Sequence, residues 1–411
     1  MNGIGAYALV TASYWAFTLT DGALWMLVLL HFHALGYSPV QVAFLFVLYE
    51  LCGVVTNLLG GWIASAFGLR STLFSGLALQ IGALGMLALL DPGWSRTLSV
   101  AYVMSSQALS GVAKDLTKMS SKAAIKTLVP ADQDSALFRW VAVLTGSKNA
   151  LKGVGFFLGG FLLAQLGFQG ALWGMAAVLA LVLVGAVVRL PAEMGRSKSK
   201  SLIGLLAKSR EINVLSAARF FLFGARDIWF VVGVPVFLAS ALGWGFTEVG
   251  SFLALWVIGY GAVQSVAPMV VGRFTGGQTP RGGAAQVLAF VLAGVTALVP
   301  LALPVAPAVA VLGGVGLFGL VFALNSSVHS YLILAYSDGD KVALNVGFYY
   351  MANAGGRLVG TLLSGLMYQV AGLPGCLWAS FAFAVASGVV TLGLPRGGPL
   401  VALTGGVDAG E

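Results

Sequence analysis

Long apolar runs, each closed by a short polar break, follow one another along the whole chain. Turn signals and charge breaks separate twelve of them, near 9–33, 40–64, 71–90, 97–120, 136–165, 170–189, 213–240, 247–271, 284–303, 308–334, 342–369 and 376–395. The breaks include GYSP (36–39), DPGWSR (91–96), VPADQD (129–134), GFQG (167–170), LGWG (242–245), YSDGDK (336–341) and GLPG (372–375). Each run is long enough to cross a bilayer as a helix. Transmembrane strands would instead alternate polar and apolar residues over about ten positions, a pattern this chain lacks. The expectation is an all-α polytopic membrane protein with twelve transmembrane helices.

The longest polar segment, Pro191 to Ile212, separates the sixth and seventh runs and holds Arg196, Lys198, Lys200, Lys208 and Arg210. It reads as a basic cytosolic linker (191–212) between an N-terminal six-helix half (1–190) and a C-terminal one (213–395). A cytosolic tail follows at 396–411. The halves also repeat one another. A shift of 205 residues lays the fifth run on the eleventh without a gap, putting Lys152 on Arg357, Gly155 on Gly360, Gly160 on Gly365 and Gly167 on Gly372. A shift of 206 lays Asp21 on Asp227, and one of 207 lays Leu35-Gly36 on Leu242-Gly243. Coinciding shifts near half the chain length predict a duplicated unit and two pseudo-symmetric halves.

Composition agrees: the 411 residues are 59% hydrophobic and only 9% charged, against about 25% charged in a soluble domain. The start, MNGIGAYALV, lacks a basic n-region and a small-residue cleavage site, so no cleaved signal peptide is expected. Loops assigned to one side, with the tail, hold 13 Lys or Arg, whereas those on the other side hold one, Arg96. By the positive-inside rule both termini are expected in the cytosol, in a multi-pass protein of an inner (cytoplasmic) membrane. Cys52 and Cys376 stand in distant apolar runs, form no CxxC or metal pattern, and are expected to pack in the core.

Charge inside the runs carries the functional signal. Eight of the 22 basic residues lie there: Lys114, Lys118, Arg139, Lys148, Lys152, Arg219, Arg226 and Arg357. The acids are Asp21, Glu50, Asp115 and Asp227. A charge at mid-bilayer costs roughly 2.5–3.5 kcal/mol, so eight facing lipid would cost on the order of 20 kcal/mol, more than a fold spares. They must line a wet cavity or pair, and twice as many cations as acids leaves a surplus. Such a surplus suits a polyanionic substrate.

In the fourth run Lys114, Lys118, Lys122 and Lys126 recur every four residues, a winding stripe roughly 18 Å long on a helix. Lys122 and Lys126 are expected at the cytosolic interface, Lys118 at the threshold and Lys114 in the cavity. Lys148 and Lys152 stand one turn apart in GSKNALKG, with Ser147 and Asn149 beside them. With Lys114 they resemble a phosphate-type anion site, faced by Arg226 and Arg357 from the other half. Arg139 is expected to snorkel to the interface. His329, among Asn325, Ser326 and Ser327, is a substrate-facing candidate, whereas His31 and His33 belong to the outer interface. Asp115 is expected to neutralise a lysine across the helix pair, and Arg226 with Asp227 to serve the site or form a structural ion pair. Asp21, Glu50 and Asp227 are the proton-coupling candidates, since burial can raise a carboxyl group into the working range.

No Walker A loop supports ATP drive, and no HExxH, GxSxG or Cys/His cluster suggests an enzyme. No cofactor, metal or nucleic-acid partner is expected. Two six-helix halves joined by a basic linker resemble the major facilitators. The stretch GWIASAFGLRSTL (61–73) keeps that superfamily's loop spacing at Gly61, Ala64, Gly68, Arg70 and Leu73. It departs at Ser65, where an Asp is usual, and at Leu69, where a basic residue is usual. Five stretches resemble the organoarsenical efflux permease family, ArsJ: YWAFTLTDGAL (14–24), LHFHALGYSP (30–39), KDLTKMSSKAAIK (114–126), RWVAVLTGSKNALKGVGFFLGG (139–160) and NVLSAARFFLFGARDIWFV (213–231). In that family the position of Trp25 is usually basic, so a Trp here leaves Asp21 without that partner.

The resemblance implies export of 1-arseno-3-phosphoglycerate, made when glyceraldehyde-3-phosphate dehydrogenase uses arsenate in place of phosphate. That dehydrogenase is the implied functional partner, beside membrane lipid and the small anionic substrate itself. A cationic cavity fits two oxyanions, and a chain without clustered cysteines fits pentavalent rather than trivalent arsenic. The alternative is an organophosphate or organic-anion exchanger or proton antiporter of the same fold. A membrane-embedded esterase and a non-transporting sensor are the rivals from other classes.

Overall fold

The computed structural model describes residues 3–128, 134–190, 209–276, 280–337 and 342–395. Their regular structure is helical: α1 (Gly3–Ala34), α2 (Pro39–Phe44), α3 (Val47–Phe67), α4 (Leu69–Ala88), α5 (Arg96–Leu128), α6 (Asp134–Arg189), α7 (Arg210–Phe230), α8 (Gly233–Ser240), α9 (Phe246–Phe274), α10 (Gly282–Ala302), α11 (Pro307–Ala335) and α12 (Val342–Thr391). Nine stretches among the described residues are long and apolar enough to cross a membrane. Two of these, Ser147–Arg189 and Asn345–Thr391, each hold two spans, because α6 breaks at Gly167 and α12 at Ala371–Gly372. One more comes from α5, whose lysines lower its hydropathy. All twelve expected spans are therefore present. The second is interrupted between α2 and α3, and the seventh between α7 and α8. Most of the expected linker (191–208) and the tail (396–411) lie outside the described residues.

Local chemistry sets the breaks. Ser38 caps α2: its hydroxyl accepts from the Gln41 amide while the Gln41 side chain accepts from the Ser38 amide, and Pro39 opens the first turn. Gly245 donates its amide to Glu248 at 2.7 Å as α9 begins. Sharp turns use left-handed glycines, and the six found among the described residues fall into pairs. These are Gly36 (φ 75°) with Gly243 (70°), Gly68 (77°) with Gly276 (62°), and Gly167 (68°) with Gly372 (61°). No side chain with a Cβ adopts such φ without strain, so each pair marks the same corner in the two halves.

Packing confirms the repeat and sharpens its register. A Cβ on Gly155 would stand 2.6 Å from the Leu19 carbonyl oxygen and 3.1 Å from Gly22 Cα. On Gly360 it would stand 2.9 Å from the Gly224 carbonyl oxygen and 2.9 Å from Asp227 Cβ. Glycines and neighbours all differ by 205 positions. The first run thus maps onto the seventh at 205 rather than 206, which corrects the expected match of Asp21 with Asp227. Gly22 stands in the place of Asp227, and Asp21 in that of Arg226.

The halves meet along two seams. In one, Gly160 of α6 packs on Phe246 and Gly250 of α9; in the other, Gly365 of α12 packs on Pro39 and Ala43. Here the partners differ by 207 positions. Small residues let the backbones approach closely, the main source of helix affinity inside a bilayer. Residues on the outer faces, such as Leu181, Val188, Leu255 and Val309, remain at least 70% exposed and form an apolar coat. Substituting Gly155→Val or Gly360→Val is expected to destabilise the protein by about 1–3 kcal/mol through overpacking. Thermal unfolding in detergent checks this, with Gly174→Val, where a Cβ meets nothing within 4 Å, keeping the parent melting temperature.

Candidate functional site

A cavity of about 310 Å³ opens between the halves, within the range of small-molecule sites. Its walls include seven of the eight in-span cations, Lys114, Lys118, Lys148, Lys152, Arg219, Arg226 and Arg357. All four in-span carboxylates, Asp21, Glu50, Asp115 and Asp227, line it as well. The side chain of the eighth cation, Arg139, lies outside the described residues, as do those of Lys122 and Lys126. Ionised, these walls carry three more positive than negative charges.

Of the row on α5, Lys114 and Lys118 both line the cavity. Lys114 Nζ sits 3.8 Å above the ring of Tyr49, where the π face stabilises a cation. Lys118 donates to Asp115 at 2.8 Å and to Asn57 at 2.8 Å. The other oxygen of Asp115 accepts a short hydrogen bond from Thr56. Asp115 therefore neutralises a lysine on its own helix, three residues on, rather than one across the helix pair.

On α6, Phe156 is buried, Lys152 half-buried and Lys148 exposed to the cavity. Lys152 feels the charges of Asp21, Arg357, Arg226 and Lys114, but no ion pair joins it to a carboxylate among the described residues. Asn149, expected among the substrate ligands, lines the cavity and donates to Gln264 of α9 at 2.9 Å. Ser147 accepts from the Trp15 indole at 2.9 Å.

The C-terminal half supplies arginines that are already held. Arg226 and Asp227 form an ion pair, with Nε donating at 2.6 Å. Arg357 donates to the other Asp227 oxygen at 3.1 Å and reaches across the seam to Glu50 of α3. Asp21 accepts from the Tyr49 hydroxyl through both oxygens, at 2.9 and 3.0 Å. Each of the three proton-coupling candidates thus has a partner, although one oxygen of Glu50 has none.

His329 requires a correction. It is fully buried in α11, is absent from the cavity lining, and among the described residues neither ring nitrogen has a hydrogen-bond partner. Its neighbour Ser330 faces the cavity instead. The 100° step between successive helical residues decides which of them does so. His33, at the end of α1, bonds Ser240 of α8 at 2.9 Å across the halves. Cys52 is half-buried and Cys376 buried, and both are free thiols.

Sequence reasoning left three contributors unplaced. Arg219 is 4% exposed and has no carboxylate partner among the described residues; it donates to Asn353 and to Ser326, and stacks 3.9 Å over Phe223. Gln264 was legible as a polar residue in an apolar run. The third is an aromatic floor: Trp25 and Phe156 lie 5.1 Å apart, Phe230 is 6.1 Å from each, and Trp256 is 5.1 Å from Phe230. All four rings line the cavity, and along α6 exposure rises from Phe156 through Lys152 to Lys148.

Substituting Arg357→Gln strands Glu50 beside the cavity. The expected cost is roughly 3–5 kcal/mol, because removing one partner of a buried pair leaves an uncompensated charge. Lys152→Gln removes a cation that no acid pairs, and the melting temperature is expected to stay level or rise. Parallel thermal unfolding of the two variants decides the matter: equal losses would refute the assignment of Arg357 as paired and Lys152 as unpaired.

The sequence profile of the Major Facilitator Superfamily matches residues 10–331. No curated protein sequence matches the chain. Among solved structures the chain is similar to the nucleoside transporter NupG, crystallised as a point mutant, at 15% identity and a TM-score of 0.69, covering 93% of this chain and 97% of that one. It is also similar to a D-xylose–proton symporter, at 14% identity and a TM-score of 0.73, covering 94% and 97%. At such identities the likeness speaks to the fold alone.

Proposed function

The chain belongs to the Major Facilitator Superfamily, and from that premise we propose that it expels a small organic oxyanion, 1-arseno-3-phosphoglycerate, by alternating access. Membership makes it a transporter rather than an enzyme. The observation that supports an anionic cargo is the surplus of three positive charges around one cavity. The related fold also serves D-xylose in the symporter named above, and a neutral sugar has no use for such a surplus. The resemblance of the α5 and α6 blocks to organoarsenical permeases narrows the anion to one bearing a phosphate and an arsenate.

In this reading Lys114, Lys118, Lys148 and Lys152 draw the two oxyanions in from the N-terminal wall. Arg219, Arg226 and Arg357 face them from the other wall. The orientation with cytosolic termini makes the aromatic floor the outer barrier and the cavity open to the cytosol. Protonating Glu50 would release Arg357 from the N-terminal half, which makes this pair the point where proton entry would couple to rocking of the halves.

Counterflow in reconstituted vesicles tests the proposal. 1-Arseno-3-phosphoglycerate should exchange faster than 3-phosphoglycerate or inorganic phosphate, and Lys114→Gln or Lys148→Gln should abolish exchange without lowering the amount of folded protein. If 3-phosphoglycerate and phosphate exchange equally well, the protein is a general organophosphate exchanger. Normal transport by both lysine variants would overturn the cavity assignment.

A further inference from the structure

The duplicated halves do not neutralise their central cations equally. Arg357 on α12 and Lys152 on α6 are counterparts at the 205-residue shift. Each stands three residues before the glycine that seats its helix on the first span of its own half, Gly360 and Gly155. Each lies eight residues before the seam glycine, Gly365 and Gly160. The seam partners Ala43 and Gly250 differ by 207 and the corner glycines Gly68 and Gly276 by 208, so Glu50 on α3 corresponds to Val257 or Ile258 on α9; the cavity decides for Val257, which faces it as Glu50 does. Gly153, next to Lys152, would place a Cβ 2.8 Å from the Ala254 carbonyl oxygen and 2.7 Å from Ile258, which puts Val257 in that same neighbourhood.

The two acids of the C-terminal site are therefore both missing from its N-terminal counterpart. Arg357 is held by Asp227 and Glu50, whereas the equivalents around Lys152 are Gly22 and Val257. Asp21 lies near enough for Lys152 to feel its charge but forms no ion pair with it among the described residues; its carboxylate accepts the Tyr49 hydroxyl through both oxygens and occupies the register position of Arg226. With Arg226 and Arg357 facing Asp227 and Glu50, the C-terminal cluster is neutral. The uncompensated charge near Lys152 is reinforced by Lys114, which pairs with a ring rather than an acid.

We propose that Lys152 is the principal charge partner of the transported oxyanion, and that Val257, standing where the other half carries a glutamate, is the residue that leaves it free. This rests on the anion-transport reading above and locates its primary contact. Val257 thus acts as a specificity determinant without touching the anion. A carboxylate there would occupy Lys152 as Glu50 occupies Arg357 and would exclude anionic cargo. Gly22 has the same effect, but its Cβ would lie 2.8 Å from the Lys152 carbonyl oxygen, so an acid there would disturb packing as well as charge.

The test uses the full-length purified protein with 3-phosphoglycerate and inorganic phosphate as probes, their affinities read from ligand-dependent thermal shifts. Val257→Glu should weaken binding by at least about tenfold, as expected when a charge-assisted contact is taken by an internal partner. Val257→Gln, of the same size without the charge, should stay within about threefold of the parent. In the unaltered protein, a saturating probe should protect Lys152 from an amine-reactive reagent, read by mass spectrometry, which needs no variant. A parent that binds neither probe overturns the anion reading together with this one. A parent that binds, with Val257→Glu as tight as the parent or Lys152 unprotected, overturns only the role given to Lys152 and Val257. Equal loss in the Gln and Glu variants would mean that shape, not charge, acts at this position.

Discussion

Ionised groups are costly in hydrocarbon, and the arrangement of this chain answers that constraint. Eleven such side chains from α1, α3, α5, α6, α7 and α12 converge on one cavity, where water and mutual pairing replace the solvent that lipid cannot offer. Convergence requires close packing between helices, which Gly155, Gly160, Gly360 and Gly365 permit. It also requires an apolar exterior, which the exposed Leu and Val side chains provide. The glycine contacts and the charged cavity are thus two sides of one solution. Helices held further apart would turn some cations toward lipid.

The two seams between the halves differ in kind. One is tied by an ion pair, Glu50 with Arg357, the other by neutral amides, Asn149 with Gln264. A charged ligand in the cavity perturbs the first strongly and the second little, because a field acts on net charge more than on an amide dipole. The aromatic floor beneath both seams contains no formal charge and is indifferent to the ligand's valence. The contacts between the halves therefore include an electrostatic element and an apolar one that are spatially separate.

Much of this was legible in the sequence. Run lengths and turn residues gave all twelve spans, since hydrophobicity and glycine corners are local properties. The cost of buried charge also implied that Lys114, Lys148, Lys152, Arg226 and Arg357 share one cavity. What failed were statements that depend on helix rotation or exact register. His329 was misplaced because one step around a helix turns a side chain by about 100°, and no periodic signal separates it from Ser330. Asp21 was matched to Asp227 by residue type, whereas backbone contacts set the register one residue away. Asp115 found its lysine on its own helix, a choice that charge counting alone leaves open. The aromatic floor escaped notice because single aromatics in apolar runs resemble ordinary packing.

Symmetry explains the fold, but departures from it explain a site. Two identical halves would place the same charges on both walls: either every cation would be neutralised, as Arg357 is, or every one would be free. The first arrangement offers an anion nothing, and the second leaves too many unpaired charges for a stable fold. This chain divides the carboxylates unequally between its two central cations, Arg357 and Lys152. The C-terminal wall balances Arg226 and Arg357 with Asp227 and Glu50, an ionic tie between the halves, and leaves Arg219 to the neutral partners Asn353 and Ser326. The N-terminal wall, with Gly22 and Val257 in place of two acids, concentrates the free charge near Lys152. Two carboxylates on one wall, with Gly22 and Val257 at the matching positions of the other, thus separate a balanced seam from a wall that keeps surplus positive charge.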